Sequence, residues 1–280
     1  MAIIPKFFND AVVAIGIRQG FAVNWIATGF VVARENENGG YNTFLVSNKH
    51  VFKDKKSIVA RFNLKDEITA RDYDILLQND DGKLLYSEHN ISNVDVACVL
   101  INPNVLEKEL GQISAFALNM VALSYDKMIE NEVIEGSLVH SLGFPSGLVG
   151  INSKLPLCRL GCIARIQELV NERGFLVDIQ NFPGSSGSPL INRLEMASLK
   201  GTKSIKKTCL IGIISAYIPY CDALISRQTG KIMQTTRENS GLAIAYTVDA
   251  IQEVVEIEFN RVKSLESDSI VESDEKPIIE

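Results

Sequence analysis

The chain lacks the features that would mark a membrane protein, a polyanion binder or a disulfide scaffold. None of its 280 residues belongs to an apolar run long enough to span a bilayer, so no transmembrane helix is expected. Charge of one sign is also scarce. Lys and Arg number 28 against 34 Asp and Glu, and residues 264–280 hold six of those acids with one base. The remainder is close to neutral, leaving no global electrostatic case for nucleic acid or an anionic membrane. The five cysteines (Cys98, Cys158, Cys162, Cys209, Cys221) are odd in number and contain no Cys-x-x-Cys pair. Four of them lie in or beside apolar runs, so buried free thiols are the simpler expectation. A zinc site built from Cys158, Cys162, Cys209 and Cys221 is the weaker alternative, and no metal or organic cofactor is expected.

An export signal is missing by the same reading. Ala11–Ile17 is a short apolar stretch that follows Asn9 and Asp10 and runs into Arg18, which argues for a cytoplasmic location. Asn90-Ile91-Ser92 is then a surface loop rather than a glycosylated one. Helical periodicity is confined to the end of the chain. Ile251, Val254, Val255, Phe259 and Val262 recur on one face, with Asp249 and Gln252 placed as a capping box, and predict a helix over 249–263. Residues 264–280 are acidic, serine-rich and poor in apolar side chains, the composition of a disordered tail.

Short apolar segments separated by turns make up the rest. Ala11–Ile17, Ala27–Ala33, Tyr41–Val46, Ser57–Phe62, Asp74–Leu77, Val96–Ile101, Leu138–Leu142, Gly161–Ile166, Phe175–Asp178, Leu190–Asn192, Cys209–Ala216 and Leu242–Thr247 all read as strands. Many short strands with little helix predict an all-β barrel or sandwich.

Histidine is rare too, with three in the chain: His50, His89 and His140. One of them opens a series of three separated motifs. His50 follows the apolar run Phe44-Leu45-Val46; Asp95 heads Val96–Ile101; Ser186 sits in Pro183-Gly184-Ser185-Ser186-Gly187-Ser188-Pro189. A serine hydroxyl needs a neutral imidazole to accept its proton and a carboxylate to fix the imidazole tautomer. It also needs backbone N–H groups aimed at the developing oxyanion. Ser185, Ser186 and Ser188 compete for the nucleophile. Ser186 is preferred because Gly184 can turn its N–H toward the same point as that of Ser186, while Gly187 leaves the substrate side clear. His89 and His140 read as structural.

These motifs resemble those of the trypsin-like (chymotrypsin-fold) serine peptidases, particularly the bacterial HtrA-like branch without its peptide-binding module. The resemblance rests on "LVSNKHV", "NVDVACVLI" and "PGSSGSPLIN", with weaker echoes in "ATGFVV", "SLGFPSG", "LIGIISA" and "GLAIAYTVDAIQEVV". It implies two six-stranded antiparallel β-barrels and a C-terminal helix, with lobes at 1–125 and 126–248 and the site in the cleft between them. It further implies a serine endopeptidase with His50, Asp95 and Ser186 as the triad and the Gly184 and Ser186 N–H groups as the oxyanion hole. Gln180, Ser215, Ala216, Tyr217 and Gly241 would line the substrate subsites. None of these is an acid, so a small, apolar or neutral side chain is expected before the cleaved bond.

Ser185 stands where digestive relatives carry an acid that pairs with a newly cut N-terminus, which argues against activation by propeptide removal. An α/β-hydrolase is rejected, because its elbow expects Gly-x-Ser-x-Gly and the order Ser, Asp, His. The alternative kept open is a catalytically inactive, peptidase-like module that binds a peptide or partner protein. Expected partners are a protein or peptide substrate, with a regulatory partner conceivable at the basic insertion 193–207 or the acidic tail 264–280.

Overall fold

The computed structural model describes residues 4–64, 69–102, 113–166, 173–195 and 201–274. Fourteen strands carry the fold. The first lobe holds β1 (Val12–Gln19), β2 (Ala22–Glu35), β3 (Tyr41–Ser47), β4 (Ser57–Asn63), β5 (Ala70–Leu76), β6 (Ser87–Glu88), β7 (Ala97–Ile101) and β8 (Phe116–Ala117). The second holds β9 (Leu138–Gly143), β10 (Leu157–Arg165), β11 (Gly174–Asp178), β12 (Pro189–Asn192), β13 (Leu210–Ile225) and β14 (Ile232–Thr247).

The second lobe is the expected closed six-stranded barrel, in the order β10-β11-β14-β13-β12-β9. The first differs in detail. Among the described residues it is an eight-stranded sheet ordered β5-β4-β1-β2-β3-β7-β6, with β8 added in parallel to β2.

Strand periodicity explains why so many segments read as unbroken apolar runs. Side chains alternate between two faces, and here both faces are buried. Val13, Ile15, Val31, Leu45, Ala97 and Val99 fill the core of the first lobe. Their sequence neighbours Val12, Ala14, Phe30, Val32, Phe44, Val46, Val96 and Cys98 face a second core that both lobes share. The second lobe divides its residues the same way. Leu190, Ile211 and Ile214 turn into its barrel, whereas Ile191, Leu210 and Ile213 turn toward the shared core.

The C-terminal helix seals that shared core with Ile251, Val254 and Val255, and Phe259 packs alongside. It spans Val248–Asp274, eleven residues past the predicted end at 263, so most of the expected tail is helical backbone. Asp249 does not cap its own helix; its carboxylate accepts the Tyr125 N–H at 2.8 Å. The helix also ties the lobes by charge. Glu253 binds His89 of the first lobe at 2.6 Å and Arg173 of the second. Glu258, fully buried, is held by Ser87 Oγ, the Leu100 N–H and Arg261.

Residues 150–154 also stitch the second lobe to the first. Asn63 exchanges two hydrogen bonds with the Lys154 backbone, and Arg61 donates to the Gly150 carbonyl. The buried Lys154 ammonium donates to the Asn9 and Asp10 carbonyls. Burial lowers its pKa to about 8 from 10.5, with Asp10 opposing that shift.

The cysteines divide unevenly. All five are free; Cys98 and Cys209 are buried, Cys162 is half-buried, and Cys158 and Cys221 are exposed. The expectation of a buried Cys158 fails because β10 turns this side chain outward. Among the described residues no three His, Cys, Asp or Glu side chains are grouped to hold a metal.

Candidate active site

His50 lies in the one-turn helix Lys49–Phe52 at the end of β3, and Asp95 lies just before β7. Because β3 and β7 are paired antiparallel, with Ser47 opposite Ala97, their adjoining ends bring the two side chains together. His50 Nδ1 is 2.7 Å from Asp95 Oδ2, and the His50 N–H donates to Oδ1 at 3.1 Å. The two contacts fix both the position and the orientation of the ring, and the Nδ1–H tautomer leaves Nε2 free to accept a proton. The His50 ring is about half exposed, with 53% of its surface open.

Asp95 is the better enclosed partner. Burial alone would raise its pKa. The His50 ring, its charge, the Ser215 hydroxyl and the His50 N–H together outweigh burial and hold the carboxyl below its ordinary value. The loop bearing it is anchored by Asn48 Nδ2 to the Asp95 carbonyl and by the Tyr246 hydroxyl to the Asn93 carbonyl. His89 supports the same loop: it accepts the Ile91 N–H on Nδ1 and donates to Glu253 from Nε2. His140 lies on β9, where burial lowers its pKa and the Arg193 charge adds to the effect.

Ser186 is brought to this pair by Ser215. The Ser186 hydroxyl donates to the Ser215 carbonyl at 3.1 Å, and the Ser215 hydroxyl donates to Asp95 Oδ2 at 2.6 Å. Ser215 thus touches two of the three motif residues. The sequence reading placed it only among the substrate-subsite residues, because a serine hydroxyl inside an apolar strand carries no distinguishing signal. Ser186 Oγ forms its hydrogen bond with Ser215 rather than with His50.

The competing serines are placed differently. Ser185 and Ser188 are buried, with hydroxyls unpartnered among the described residues. Gly184 adopts φ +96°, and a Cβ there would meet the Phe144 carbonyl at 2.5 Å. The Pro183 carbonyl accepts the Ser146 N–H. In a trans peptide the Gly184 N–H points the opposite way, away from that loop.

Thr28 was missed from the sequence. It is fully buried and fastens the Ser186 loop to β2. Its N–H donates to the Ser186 carbonyl, its hydroxyl donates to the Gly184 carbonyl, and the same hydroxyl accepts the Phe144 N–H. Gly187 belongs to this seam. Its φ is +86°, and a Cβ would fall 2.0 Å from the Thr28 carbonyl and 2.4 Å from Ser47 Oγ. The expected role of Gly187 in clearing the substrate side is therefore replaced: it admits the backbone of the other lobe.

The candidate subsite residues also gather. The Ile179 N–H donates to the Gly241 carbonyl, and Gln180 Nε2 lies 3.8 Å from where a Gly241 Cβ would be. Asp178 Oδ1 lies at the same distance, so an acid not anticipated from the sequence stands beside these residues. It stands two residues before Gln180, on the same side of an extended segment. Ala216 and Tyr217 continue from Ser215 along β13 with exposed side chains.

The profile of the trypsin-like peptidase domain matches residues 27–195, a span from β2 through the nucleophile loop. No curated protein matched the sequence. Among solved structures, the chain is similar to an HtrA-type protease, AlgW, seen with a decapeptide. That match has 16% identity and a TM-score of 0.49, and it covers 89% of this chain and 65% of the other. The chain therefore spans about two thirds of that protein's length. It is also similar to the MamO protease domain of Magnetospirillum magneticum, with 15% identity, a TM-score of 0.45 and coverage of 88% and 96%. With more than half of its residues matched by the family profile, the chain belongs to the trypsin-like peptidase domain family.

Proposed function

We propose that the protein is a serine endopeptidase that cleaves peptide bonds through an acyl-enzyme. The observation that carries this reading is the two-point contact between His50 and Asp95, with Ser186 joined to it through Ser215. In the reaction Ser186 Oγ attacks the carbonyl carbon and its proton passes to His50 Nε2. Asp95 stabilises the imidazolium that forms. The N–H groups of Gly184 and Ser186 bind the oxyanion of the tetrahedral intermediate. His50 then protonates the leaving amine, and water repeats the sequence on the acyl-enzyme. Catalysis requires the Ser186 hydroxyl to leave the Ser215 carbonyl and turn toward His50.

That same Ser186–Ser215 bond favours a second reading, a peptidase-like module that holds a peptide without cutting it. A fluorophosphonate probe separates the two. The endopeptidase reading expects covalent labelling of Ser186 that is lost in both Ser186→Ala and His50→Ala with folding retained. An intact, folded chain that takes no label assigns the binding role.

A further inference from the structure

Beyond the barrel, β13 and β14 continue as a two-stranded ribbon. Residues 219–225 pair with 232–239 and with nothing else among the described strands. Most of its side chains are exposed on both faces, including Tyr220, Leu224, Ile225, Ile232 and Met233. An isolated two-stranded hairpin is marginal in water, and a third strand stabilises it.

The direction of the backbone groups shows where a third strand fits. The Ile218 carbonyl accepts the Ser240 hydroxyl, so Ile218 faces β14. Ser226 also faces that way, since its N–H donates to the Lys231 carbonyl. Ala223 faces outward; its N–H is taken by the Asp222 carboxylate at 2.8 Å. Pro219 has no N–H to offer and fits only an outward position on an edge. Even-numbered residues therefore face β14, and odd-numbered ones face the open edge. Ser215, whose carbonyl receives the Ser186 hydroxyl, has the same parity. β13 bulges at Ser215, between Ile214 and Ala216. The extra residues between Tyr217 and Pro219 lie on β14, with Ala243 and Asn239 as the respective partners, so β13 stays in phase from Ala216 to the ribbon tip. One continuous free edge runs from the nucleophile to the ribbon tip, over a length of ~33 Å at strand spacing.

We propose that this edge is an extended substrate-recognition strand, which takes up to about ten residues on the N-terminal side of the cleaved bond by strand addition. The inference rests on the endopeptidase reading for its polarity. An antiparallel peptide would set its first residue before the cleaved bond opposite Ser215 and its third opposite Tyr217. Further odd positions would fall opposite Pro219, Cys221 and Ala223. The ribbon offers apolar side chains on both faces, so the favoured substrate is an unfolded, β-prone segment rather than a folded surface. Pro219 and the Asp222 carboxylate blunt the edge against indiscriminate pairing. The Cys221 N–H remains as an outward donor.

The test compares labelled peptides that share four residues before the bond with versions extended to ten by Val and Thr. Affinity is read by fluorescence anisotropy on Ser186→Ala and kcat/KM on the native chain. The expected result is at least a tenfold gain from the extension. Cys221→Pro, which removes an outward N–H without breaking a β13–β14 bond, should abolish the gain and leave the four-residue values unchanged. A chain with Cys221–Arg237 replaced by Asn-Gly should behave alike. An equal gain in the variants, or no gain in Ser186→Ala, overturns the proposal. A concentration-dependent native dimer that Cys221→Pro makes monomeric also overturns it, by giving the edge to a second copy. Length-dependent binding without cleavage of any peptide would sink the endopeptidase reading and leave the strand-addition site standing.

Discussion

The two lobes reach similar cores by different closures. In the second lobe each of six strands has two neighbours, and the barrel presents Ser186 on the loop before β12. In the first lobe the described sheet ends at β5 and β6, and the ends of β3 and β7 present His50 and Asp95. Yet the loop of the closed barrel is not held by that barrel alone. Two of its carbonyls, those of Gly184 and Ser186, are bonded by Thr28 of the first lobe. The lesson is that each half of the candidate site leans on the other lobe. Thr28 of the first holds the Ser186 loop, Ser215 and Tyr246 of the second hold Asp95 and its loop, and the His50–Asp95 contact itself lies within one lobe.

This contrast can be broken from either side. The largest effect is expected from Asp95→Asn, which keeps the shape of the first lobe's pair and removes its charge. It should lower kcat/KM by about four orders of magnitude, measured on any cleaved peptide, with the melting temperature little changed. Gly187→Ala attacks the seam instead. It forces a side chain into a positive φ and against the Thr28 carbonyl, and should cost ~3 kcal/mol or more by urea denaturation.

Lys154 probes the far end of the seam. Its folded pKa of about 8 lies below the ordinary 10.5, so between those values the unfolded chain binds more protons and stability rises with pH. The native chain should gain ~3 kcal/mol relative to Lys154→Met as the pH goes from below 8 to above 10.5. Thr28→Val is the mildest change. It leaves the Gly184 carbonyl and the Phe144 N–H without their hydroxyl partner, for a loss of ~2 kcal/mol. Its activity loss should fall on kcat more than on KM.

Much of this arrangement was legible because strands with two buried faces leave long apolar runs, and each motif lies at the end of one. The twelve predicted strands all fall on observed ones, and His50 and Asp95 meet because the strands that bear them are paired. The hydroxyl bonds of Ser215 and Thr28 could not be read. A hydroxyl in an apolar strand looks the same whether it faces solvent, a carboxylate or a foreign carbonyl, and only the tertiary pairing decides. The ribbon beyond Tyr217 was missed for a different reason. Pro219 signals a strand break, and the polar stretch Leu224–Ser240 reads as a solvated hairpin of its own, so nothing local shows β13 and β14 running on from the barrel into it. The length of the final helix was underestimated because no apolar face continues past Val262 to show it.

The stitches at residues 150–154 and the final helix engage the first lobe through different strands, β4 in one case and β6 and β7 in the other. Lobes fastened at two separate places have less freedom to rock against each other, which narrows the range of widths open to the groove between them. On the endopeptidase reading, a groove held in this way favours chains that arrive already straightened.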